Sequence, residues 1–434
     1  MKFRKSGQVL LAAATVAVGL GMTSCGESHT SDYLYVTSNK NTPGQINVYQ
    51  IDSKSGAAIQ ISGSPYSSGG NNPVAEVASQ NGSDLYVANR DSNTVVTFTV
   101  GSDAKLSQAH SCTTPGAEPS SMAISSDGTL LFVVDFYQSG YSDTKPGPGE
   151  LVVYNIQSDG TLGTASGNCT PVANGNLSYW PLGFYPGTVT TVSTIYTPIN
   201  NTGSETSSLY PYVYVTDTNS YITTTTPPTN NTPPPATGLQ GQIYAFGIGT
   251  GGVLSTVSGS PFTAGATPTG LAIDPTGRFL YATDSEQNQV IGYTIGANGA
   301  LTAVPSGPAT TGTFPVSAIV DPTGFYIYIT NYNSASVSEF AIDQGTGAPT
   351  AAAASSISTD AGATDILIDP ALGRYVFTAN FTGGDISSLT LNPNTGALSS
   401  NQNSPFPTAG QPTAVAAIPH GNHATTHVQS GAGD

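Results

Sequence analysis

Hydrophobic residues along this chain fall into short runs separated by polar turns, a pattern typical of β-strands. Residues 274–295 read DPTGRFLYATDSEQNQVIGYTI. Asp-Pro-Thr-Gly favours a tight turn, since Pro275 presets φ and Gly277 accepts the left-handed conformation. The run FLYATD predicts a strand covered on both faces, and VIGYTI alternates as a further strand would. Such a meander cannot bury its faces alone.

The same unit recurs along the chain. A closely similar segment, DPTGFYIYITNYNSASVSEFAI, spans residues 321–342. The core of the second strand, of the YVTN type, occurs seven times and ends at Asn39, Asn89, Asp135, Asp217, Asp284, Asn331 and Asn380. The spacings are 50, 46, 82, 67, 47 and 49 residues, so the third and fourth copies carry insertions. Gly-x-Leu signals at Gly160, Gly252, Gly299 and Gly396 mark a fourth strand. Four-stranded antiparallel units repeated in this way predict an all-β, seven-bladed β-propeller.

The two ends of the repeat region complement each other. QPTAVAAIP, residues 411–419, matches the innermost strand that precedes each turn, whereas the first copy, from Asp32, lacks that strand. We therefore expect the C-terminal strand to complete the first blade and close the ring, which removes two exposed sheet edges. The propeller is then predicted over residues 32–419, followed by a flexible tail over 420–434.

The repeated motifs carry a family resemblance. The YVTN-like cores and DPTGRFLY-like turns resemble those of the seven-bladed lactonase-family propellers, which include 6-phosphogluconolactonases, and of the related YVTN repeat proteins. The resemblance covers roughly residues 32–419. It implies the fold directly and hydrolysis of a lactone as a possible activity, because the matched residues are structural ones.

The N-terminus has the features of a bacterial export signal. Lys2, Arg4 and Lys5 precede an apolar stretch that is too short for a comfortable membrane span. Residues 22–25, MTSC, resemble the lipobox of bacterial lipoproteins. We expect a signal peptide over 1–24, lipidation of Cys25 and a tether over 25–31, which would anchor the protein in the cell envelope, in the periplasm or at the cell surface. An ordinary signal peptide with an incidental Cys25 is the alternative.

Composition narrows the partners. The net charge of −16 argues against nucleic acid and against anionic lipid surfaces. We expect a monomer that contacts the membrane only through its lipid anchor. Cys112 and Cys169 can form a disulfide in an exported protein, or remain free buried thiols if neighbouring blades hold them too far apart.

Insertions interrupt the repeat at about residues 136–150, 169–187, 198–211 and 218–241. The first, second and fourth should lie on one face and build up the rim over blades three and four. They are rich in aromatic residues that could stack on sugar rings or hold a partner protein, or could instead pack under the loops. These residues are Tyr137, Tyr141, Tyr179, Trp180, Phe184, Tyr185 and Tyr221.

A second candidate site is the channel mouth, crowned by the residue after each core. These residues are Lys40, Arg90, Phe136, Thr218, Ser285, Tyr332 and Phe381. Lys40 and Arg90 could polarise a lactone carbonyl with Asp135 as the base, while Tyr332 and Phe381 could contact a ligand. Alternatively, Lys40 and Arg90 are solvated loop charges and each core Asn or Asp makes a local turn.

Other polar residues add little to a catalytic hypothesis. No histidine is expected at the mouth, and the HGNHATTH tail reads as disordered, so neither a metal site nor a cofactor is predicted. Glu76 and Asp365 occur within innermost strands, where they face either channel water or a ligand. Few basic residues remain to bind a phosphate.

Two functional hypotheses follow. The first is an envelope binding or scaffold module that engages a carbohydrate or another protein through the rim. The second is a hydrolase that opens a sugar lactone at the channel mouth.

Overall fold

The computed structural model describes residues 29–192, 211–219 and 240–421. The predicted signal peptide, Cys25, the insertion around 198–211, most of the insertion 218–241 with Tyr221, and the histidines of the tail beyond Gly421 lie outside this range. No helix among the described residues is long and apolar enough to cross a bilayer.

The described strands form seven antiparallel sheets arranged as the blades of a propeller. Blade 1 contains β1 (Thr30–Ser38), β2 (Gln45–Asp52), β3 (Ala58–Gln60) and β4 (Tyr66–Ser67). Blade 2 contains β5 (Pro73–Ala78), β6 (Asp84–Asn89), β7 (Thr94–Val100) and β8 (Leu106–Thr113). Blade 3 contains β9 (Ala117–Ile124), β10 (Leu130–Tyr137), β11 (Glu150–Asn155) and β12 (Trp180–Pro181). Blade 4 contains β13 (Phe184–Val192), β14 (Tyr212–Asn219), β15 (Gln242–Ile248), β16 (Leu254–Thr256) and β17 (Phe262–Thr263).

The remaining blades follow the same order. Blade 5 contains β18 (Pro268–Ile273), β19 (Phe279–Asp284), β20 (Gln289–Ile295), β21 (Leu301–Ala303) and β22 (Ala309–Thr310). Blade 6 contains β23 (Pro315–Val320), β24 (Tyr326–Asn331), β25 (Ser336–Ile342) and β26 (Pro349–Ser358). Blade 7 contains β27 (Ala363–Ile368), β28 (Tyr375–Asn380), β29 (Asp385–Leu391), β30 (Leu398–Ser400) and β31 (Phe406–Pro407). The last strand is β32 (Pro412–Pro419). Two single turns of 3₁₀ helix, Arg90–Ser92 and Thr250–Gly252, are the helical elements within the described ranges.

The C-terminal strand closes the ring as predicted. β32 pairs antiparallel with β1, from Asp32 opposite Pro419 to Ser38 opposite Pro412. It supplies the innermost strand of blade 1, so the first blade is built from both ends of the propeller.

A tyrosine hydroxyl in four of the YVTN-like cores joins one blade to the next. The buried hydroxyl of Tyr281 in blade 5 donates to the carbonyl of Gly347 in blade 6 at 2.9 Å. Tyr86, Tyr214 and Tyr328 make the same bond to Gly160, Gly299 and Gly396. Three of the four Gly-x-Leu turns that mark the fourth strand, at Gly160, Gly299 and Gly396, are therefore also acceptors of the inter-blade bond.

In blade 5, the last two residues of the core satisfy backbone groups at the start of the blade. A β-bulge interrupts the innermost strand of blade 5 between Pro268 and Leu271. The freed N–H of Gly270 donates to the Thr283 hydroxyl at 2.7 Å. The Asp284 carboxylate then accepts the N–H groups of Ala266 and Thr267 at 2.9 and 3.1 Å. A buried donor without such a partner would destabilise the fold, and in blade 5 both core positions supply the side-chain oxygens that these donors need.

The Asp-Pro-Thr-Gly segments form the predicted turns. Gly277 and Gly324 have φ values of +70° and +75°, which glycine adopts without strain. In the first of these turns the Asp274 carboxylate accepts the N–H of Phe279 at 2.6 Å. The aspartate therefore fixes the first residue of the next strand, and the turn sits at the end of the channel opposite Arg90.

Candidate functional site at the channel mouth

Two rings of residues surround one mouth of the channel. The first, the core ring, consists of the residues after each core. The second, the loop ring, consists of the residues at or just before the start of each innermost strand: Asn72, Glu118, Tyr185, Thr267, Phe314, Gly362 and Gln411. Backbone hydrogen bonds join the rings, as between the Arg90 N–H and Asn72 O at 2.9 Å and between the Tyr332 N–H and Phe314 O at 2.9 Å.

The loop ring is held in an unusual backbone conformation. Asn72, Glu118, Tyr185 and Phe314 have φ values of +52°, +59°, +59° and +60°. Residues with side chains rarely adopt positive φ, and such positions cluster at functional sites. Each is followed by a proline at or near the start of the innermost strand, so the sequence itself marks the position.

Arg90 and Glu118 form an ion pair across two adjacent blades at this mouth. The Oε2 atom of Glu118 accepts from Nε and Nη2 of Arg90 at 3.0 and 2.5 Å. The side chains are 41% and 15% exposed, so the pair is open on the arginine side. Asn93 holds the Glu118 backbone, because its side-chain oxygen accepts the Glu118 N–H at 2.8 Å.

The surroundings of Arg90 are acidic. Burial lowers the pKa of Arg90, but the hydrogen bond and charge of Glu118 outweigh burial, and the pKa lies above the usual value. Asp91 and Asp143 act in the same direction. The guanidinium of Arg90 is therefore charged, and three carboxylates surround that positive charge.

The structure does not bring the three predicted catalytic residues together. Lys40 is exposed on blade 1, and Arg90 contacts Glu118. Asp135 is fully buried and its Oδ2 accepts the Gly116 N–H at 3.1 Å, just before the innermost strand of the same blade. Asp135 is therefore enclosed below the mouth, and Glu118 is the carboxylate that Arg90 meets.

Asp135 faces another acid instead. In the pairing of β10 with β11 it lies directly opposite Glu150, which is also fully buried. Burial raises the pKa of Asp135 to about 7. Burial and the charge of Asp135 raise the pKa of Glu150 to about 9. The two carboxyl groups are thus favoured in a form that retains a proton near neutral pH.

The predicted aromatic rim is mostly interior. Trp180 and Tyr137 are each only 4% exposed, which makes them packing residues rather than an open surface. The Trp180 indole N–H donates to the carbonyl of Leu254 in blade 4 at 3.1 Å. Tyr141 and Tyr179 are half-buried, and Lys145 lies over the Tyr141 ring at 5.0 Å.

Aromatic residues remain accessible at the mouth itself. Tyr332 and Phe381 are half-buried in the core ring. The Tyr332 and Phe314 ring centroids are 6.2 Å apart, and Phe314 is 41% exposed. On blades 3 and 4, the Phe136 and Tyr185 centroids are 5.3 Å apart. The mouth therefore combines one ion pair with aromatic surfaces on two sides.

The two channel carboxylates hold the closing strand. Asp365 of blade 7 accepts the Val415 N–H at 3.0 Å, and Glu76 of blade 2 accepts the Thr37 N–H at 3.2 Å. Burial raises the pKa of Asp365 to about 6 and that of Glu76 well above its usual range. Both line a channel cavity of about 290 Å³. Their backbone partners in blade 1 were not anticipated from the sequence and give them a structural role.

The two cysteines form a disulfide, with Cα atoms 5.4 Å apart. Cys112 lies on β8, while Cys169 precedes β12 in the insertion rather than on an outer strand, which lets the two blades meet. His110 Nε2 lies 3.1 Å from the Cys169 sulfur. These three residues are the metal-ligand cluster found among the described residues, and two of its ligand atoms are bonded to each other.

Glu118 is a candidate functional residue that the sequence alone did not identify. Arg90 follows directly after a core and can be found from that position, whereas its partner Glu118 lies on the neighbouring blade. The sequence does contain a pattern that marks Glu118. In most of the repeats a residue followed by proline stands at the start of the innermost strand, as in Glu118-Pro119 and Phe314-Pro315.

Comparison with known proteins agrees with this architecture. A family model described as "Lactonase, 7-bladed beta-propeller" matches residues 28–139 and 219–364, more than half of the chain. A search of curated proteins found no significant match.

Several solved structures share the fold. One is a candidate 6-phosphogluconolactonase from Bacteroides fragilis, with 17% identity and a TM-score of 0.64, covering 90% of this chain and 98% of that one. Another is a periplasmic gluconolactonase from Pseudomonas aeruginosa, with 15% identity and a TM-score of 0.64, covering 89% and 99%. A Lactobacillus plantarum protein has 18% identity and the same score, covering 90% and 99%. At such identities the likeness concerns the fold. The repeat, the closed ring and the family match together show that the chain belongs to the lactonase family of seven-bladed β-propellers.

Proposed function

We propose that this protein hydrolyses a sugar lactone at the channel mouth, with Arg90 and Glu118 as the catalytic pair. The observation that carries the proposal is their ion pair, which places a cation and a carboxylate side by side at a strained, accessible backbone position. Family membership supports the reaction class, and Glu118 replaces Asp135 as the base considered first.

The chemistry requires an electrophilic contact and a proton acceptor. Glu118 occupies Nε and Nη2 of Arg90, which leaves Nη1 to bind the lactone carbonyl oxygen. Water adds to the carbonyl carbon and gives its proton to Glu118, while Arg90 stabilises the oxyanion. The ring C–O bond then breaks and the departing alkoxide takes the proton back from Glu118. The product is the hydroxy acid, and the carboxylate is regenerated.

The charges around the mouth favour an uncharged lactone over a phosphorylated one. Asp91 and Asp143 act on Arg90 in addition to Glu118, and Glu286 accepts the Thr267 hydroxyl at 3.1 Å. A phosphate would need converging basic groups, and Lys40 is the nearest further candidate in the described core ring. The periplasmic gluconolactonase from Pseudomonas aeruginosa, which shares the fold, is named for a lactone of this neutral class.

We further propose that the protein acts as a monomer in the cell envelope, anchored through Cys25. The support comes from the sequence features of residues 1–25 and from the disulfide, which suits an oxidising compartment. Metabolic labelling with a fatty-acid analogue should mark the wild-type protein and leave Cys25→Ser unlabelled.

A binding role for a carbohydrate or another envelope protein is the second candidate. The accessible rings of Phe314, Tyr332 and Phe381 at the mouth favour it, since aromatic faces stack on sugars. The buried Trp180 no longer supports a binding surface on the rim.

The direct test is proton release on glucono-δ-lactone, with 6-phosphogluconolactone in parallel and the spontaneous rate subtracted. We expect turnover on the neutral lactone. Arg90→Ala and Glu118→Gln should each lower kcat/KM by roughly 10²–10³-fold, the range for loss of one oxyanion donor or one general base. Arg374→Ala removes an exposed arginine on the opposite face and should leave the rate unchanged.

The outcomes separate the two candidates. Turnover that survives both mouth substitutions would move the catalytic site elsewhere. No turnover on either lactone, together with saturable binding of gluconate lost in Tyr332→Ala, would favour the binding role.

A further inference from the structure

Asp135 and Glu150 form the stem of the loop that overhangs the charged side of the mouth. Asp135 lies two residues before the end of β10, just before residues 136–149, and Glu150 begins β11 directly after them. The two acids are register partners in the sheet. They therefore stand at the two points where the loop enters and leaves the blade.

This pair is an exception within the repeat. The corresponding partners are Asn89 and Thr94, Asp217 and Gln242, Asp284 and Gln289, Asn331 and Ser336, and Asn380 and Asp385. Each of those pairs contains at least one amide or hydroxyl that can donate a hydrogen bond. In blade 7, for example, Asn380 Nδ2 donates to Asp385 Oδ1 at 2.7 Å. Among the paired strands described, only blade 3 sets one carboxyl group against another.

The surroundings do not compensate for two negative charges. Asp135 receives the Gly116 N–H and a hydrogen bond from Thr114, and the backbone of Ser139 acts on Glu150. The titratable groups that face the pair are the hydroxyls of Tyr154 and Tyr179, whose pKa values are raised by burial and further by Glu150. No described cation acts on either acid. One proton between them supplies the missing donor.

The loop connects this stem to the proposed catalytic pair. The Tyr137 hydroxyl donates to Asp143 at 3.0 Å, and Asp143 acts on the charge of Arg90. Inside the loop, Gln138 closes a turn through its N–H to Pro148 O at 2.8 Å and its side-chain amide to Gly149 O at 2.9 Å. Gly149 also pairs with residues 182 and 183, beside Trp180.

We propose that Asp135 and Glu150 share one proton and thereby latch the 136–149 loop over Arg90, acting as positioning residues for the mouth. Loss of the shared proton leaves two buried like charges at the stem, so the strand ends separate and the loop opens. Opening moves Asp143 away from Arg90 and changes its electrostatic environment. The consequence for catalysis rests on the proposed lactonase function, whereas the latch itself does not.

The direction of the pH dependence follows from linkage. Both acids have raised pKa values in the closed state, about 7 for Asp135 and about 9 for Glu150. The closed state therefore binds protons more tightly than an open state with ordinary carboxyl groups. Closure is fully present at acidic pH and weakens as the pH rises toward about 9, the value for Glu150.

The chain carries its own reporter for this motion. Trp180 is the only tryptophan, and it pairs with Leu151, the residue next to Glu150. Its fluorescence, and hydrogen exchange of residues 138–149 corrected for the intrinsic pH effect, can be followed from pH 5 to 9.5 without substrate. We expect a transition in both signals, with corrected exchange rising at least about tenfold, as one unit of pKa difference gives.

Glu150→Gln is the decisive variant, because it recreates the Asp–Gln pairs of blades 4 and 5. It should abolish both transitions and keep the loop closed throughout the range. Asp135→Asn should do the same, which guards against a folding defect in one variant. Asp385→Asn alters the matching acid in blade 7 and should leave the blade 3 transition in place.

The outcomes are distinguishable from those of the activity assay. A transition in wild type that disappears in both blade 3 variants establishes the latch whether or not lactones are hydrolysed. Flat wild-type signals, or a transition unchanged in Glu150→Gln, would overturn it even if lactonase activity is found.

Discussion

Blade 5 and blade 3 share the same strand order, yet they differ at nearly every position that fixes the repeat. In blade 5, Asp274 anchors the turn, Tyr281 joins the next blade, and Gln289 donates to Asp284 at 3.2 Å. Blade 3 has Ser125, Phe132 and Glu150 at the corresponding places. Each replacement removes either a charge or a donor from the pattern.

The comparison indicates how a repeat protein acquires a site. In blade 5, every buried polar side-chain atom has a hydrogen-bond partner, whereas Asp135, Glu150 and Tyr154 of blade 3 keep atoms without one. Blade 3 retains the strands but carries a left-handed Glu118, an acid pair and a long loop at one end. The departures from the repeat therefore coincide with the residues that could bind a ligand, change their charge or move. This is expected when a scaffold of regular strands supports functional loops.

The largest contrast should come from the turn anchors. Asp274→Ala leaves the buried Phe279 N–H without its 2.6 Å acceptor and should lower the free energy of unfolding by about 3 kcal/mol, the upper range for such a loss. Ser125→Ala removes the 2.9 Å acceptor of Leu130 and should cost about 1 kcal/mol, because the lost bond is between neutral groups. Denaturant unfolding of both variants measures the difference. Equal losses would show that the aspartate adds nothing beyond a hydroxyl.

The inter-blade tyrosines should give an intermediate effect. Tyr281→Phe keeps the ring but removes the 2.9 Å bond to Gly347, leaving that carbonyl unpaired at the blade boundary. We expect a loss of about 1 kcal/mol in the free energy of unfolding. Tyr332→Phe is the matched control. It removes the same hydroxyl from an accessible residue at the mouth and should change stability by much less. A neutral Tyr281→Phe would mean that the aromatic packing alone joins the blades, as it does at Phe132.

Most of the fold could be predicted from the sequence, because each repeat contains the residues that form its own turns and strands. Gly277 permits the turn, Thr283 supplies the oxygen for the bulge, and the segment from Gln411 visibly replaces the strand missing before Asp32. These contacts are local or repeat at a fixed offset, so periodicity is enough to find them.

The site could be predicted only in part, because its contacts cross blades or insertions. Arg90 was located by its offset from a core, but Glu118 belongs to the next blade. Glu150 lies opposite Asp135 in the sheet although a long loop separates them along the chain, so the sequence does not show that the two acids face each other. Trp180 looked like a rim residue, yet its indole is buried against blade 4, because an insertion can fold inward as easily as outward.

The smallest change in stability, and the most specific, should come from giving blade 5 the acid pair of blade 3. Gln289→Glu places a second carboxyl group opposite Asp284 and removes its amide donor. The introduced carboxyl should have a raised pKa, so the folded state binds more protons than the unfolded state above the ordinary pKa of glutamate. Stability should match wild type at pH 5 and fall behind it by about 0.5 kcal/mol at pH 8, the size of a like-charge cross-strand pair.

The effect should be smaller than in blade 3 for two structural reasons. Gln289 is half-buried, whereas Glu150 is fully buried, and Asp284 already accepts several backbone N–H groups, including those of Ala266 and Thr267. The Asp284 oxygens therefore already have hydrogen-bond donors, whereas Oδ1 of Asp135 and both carboxylate oxygens of Glu150 have none among the described residues. Unfolding of Gln289→Glu and Glu150→Gln at both pH values should give pH slopes that differ from wild type in opposite directions. Slopes of the same sign would show that burial of each carboxyl, rather than the opposition of two, produces the pH dependence of blade 3.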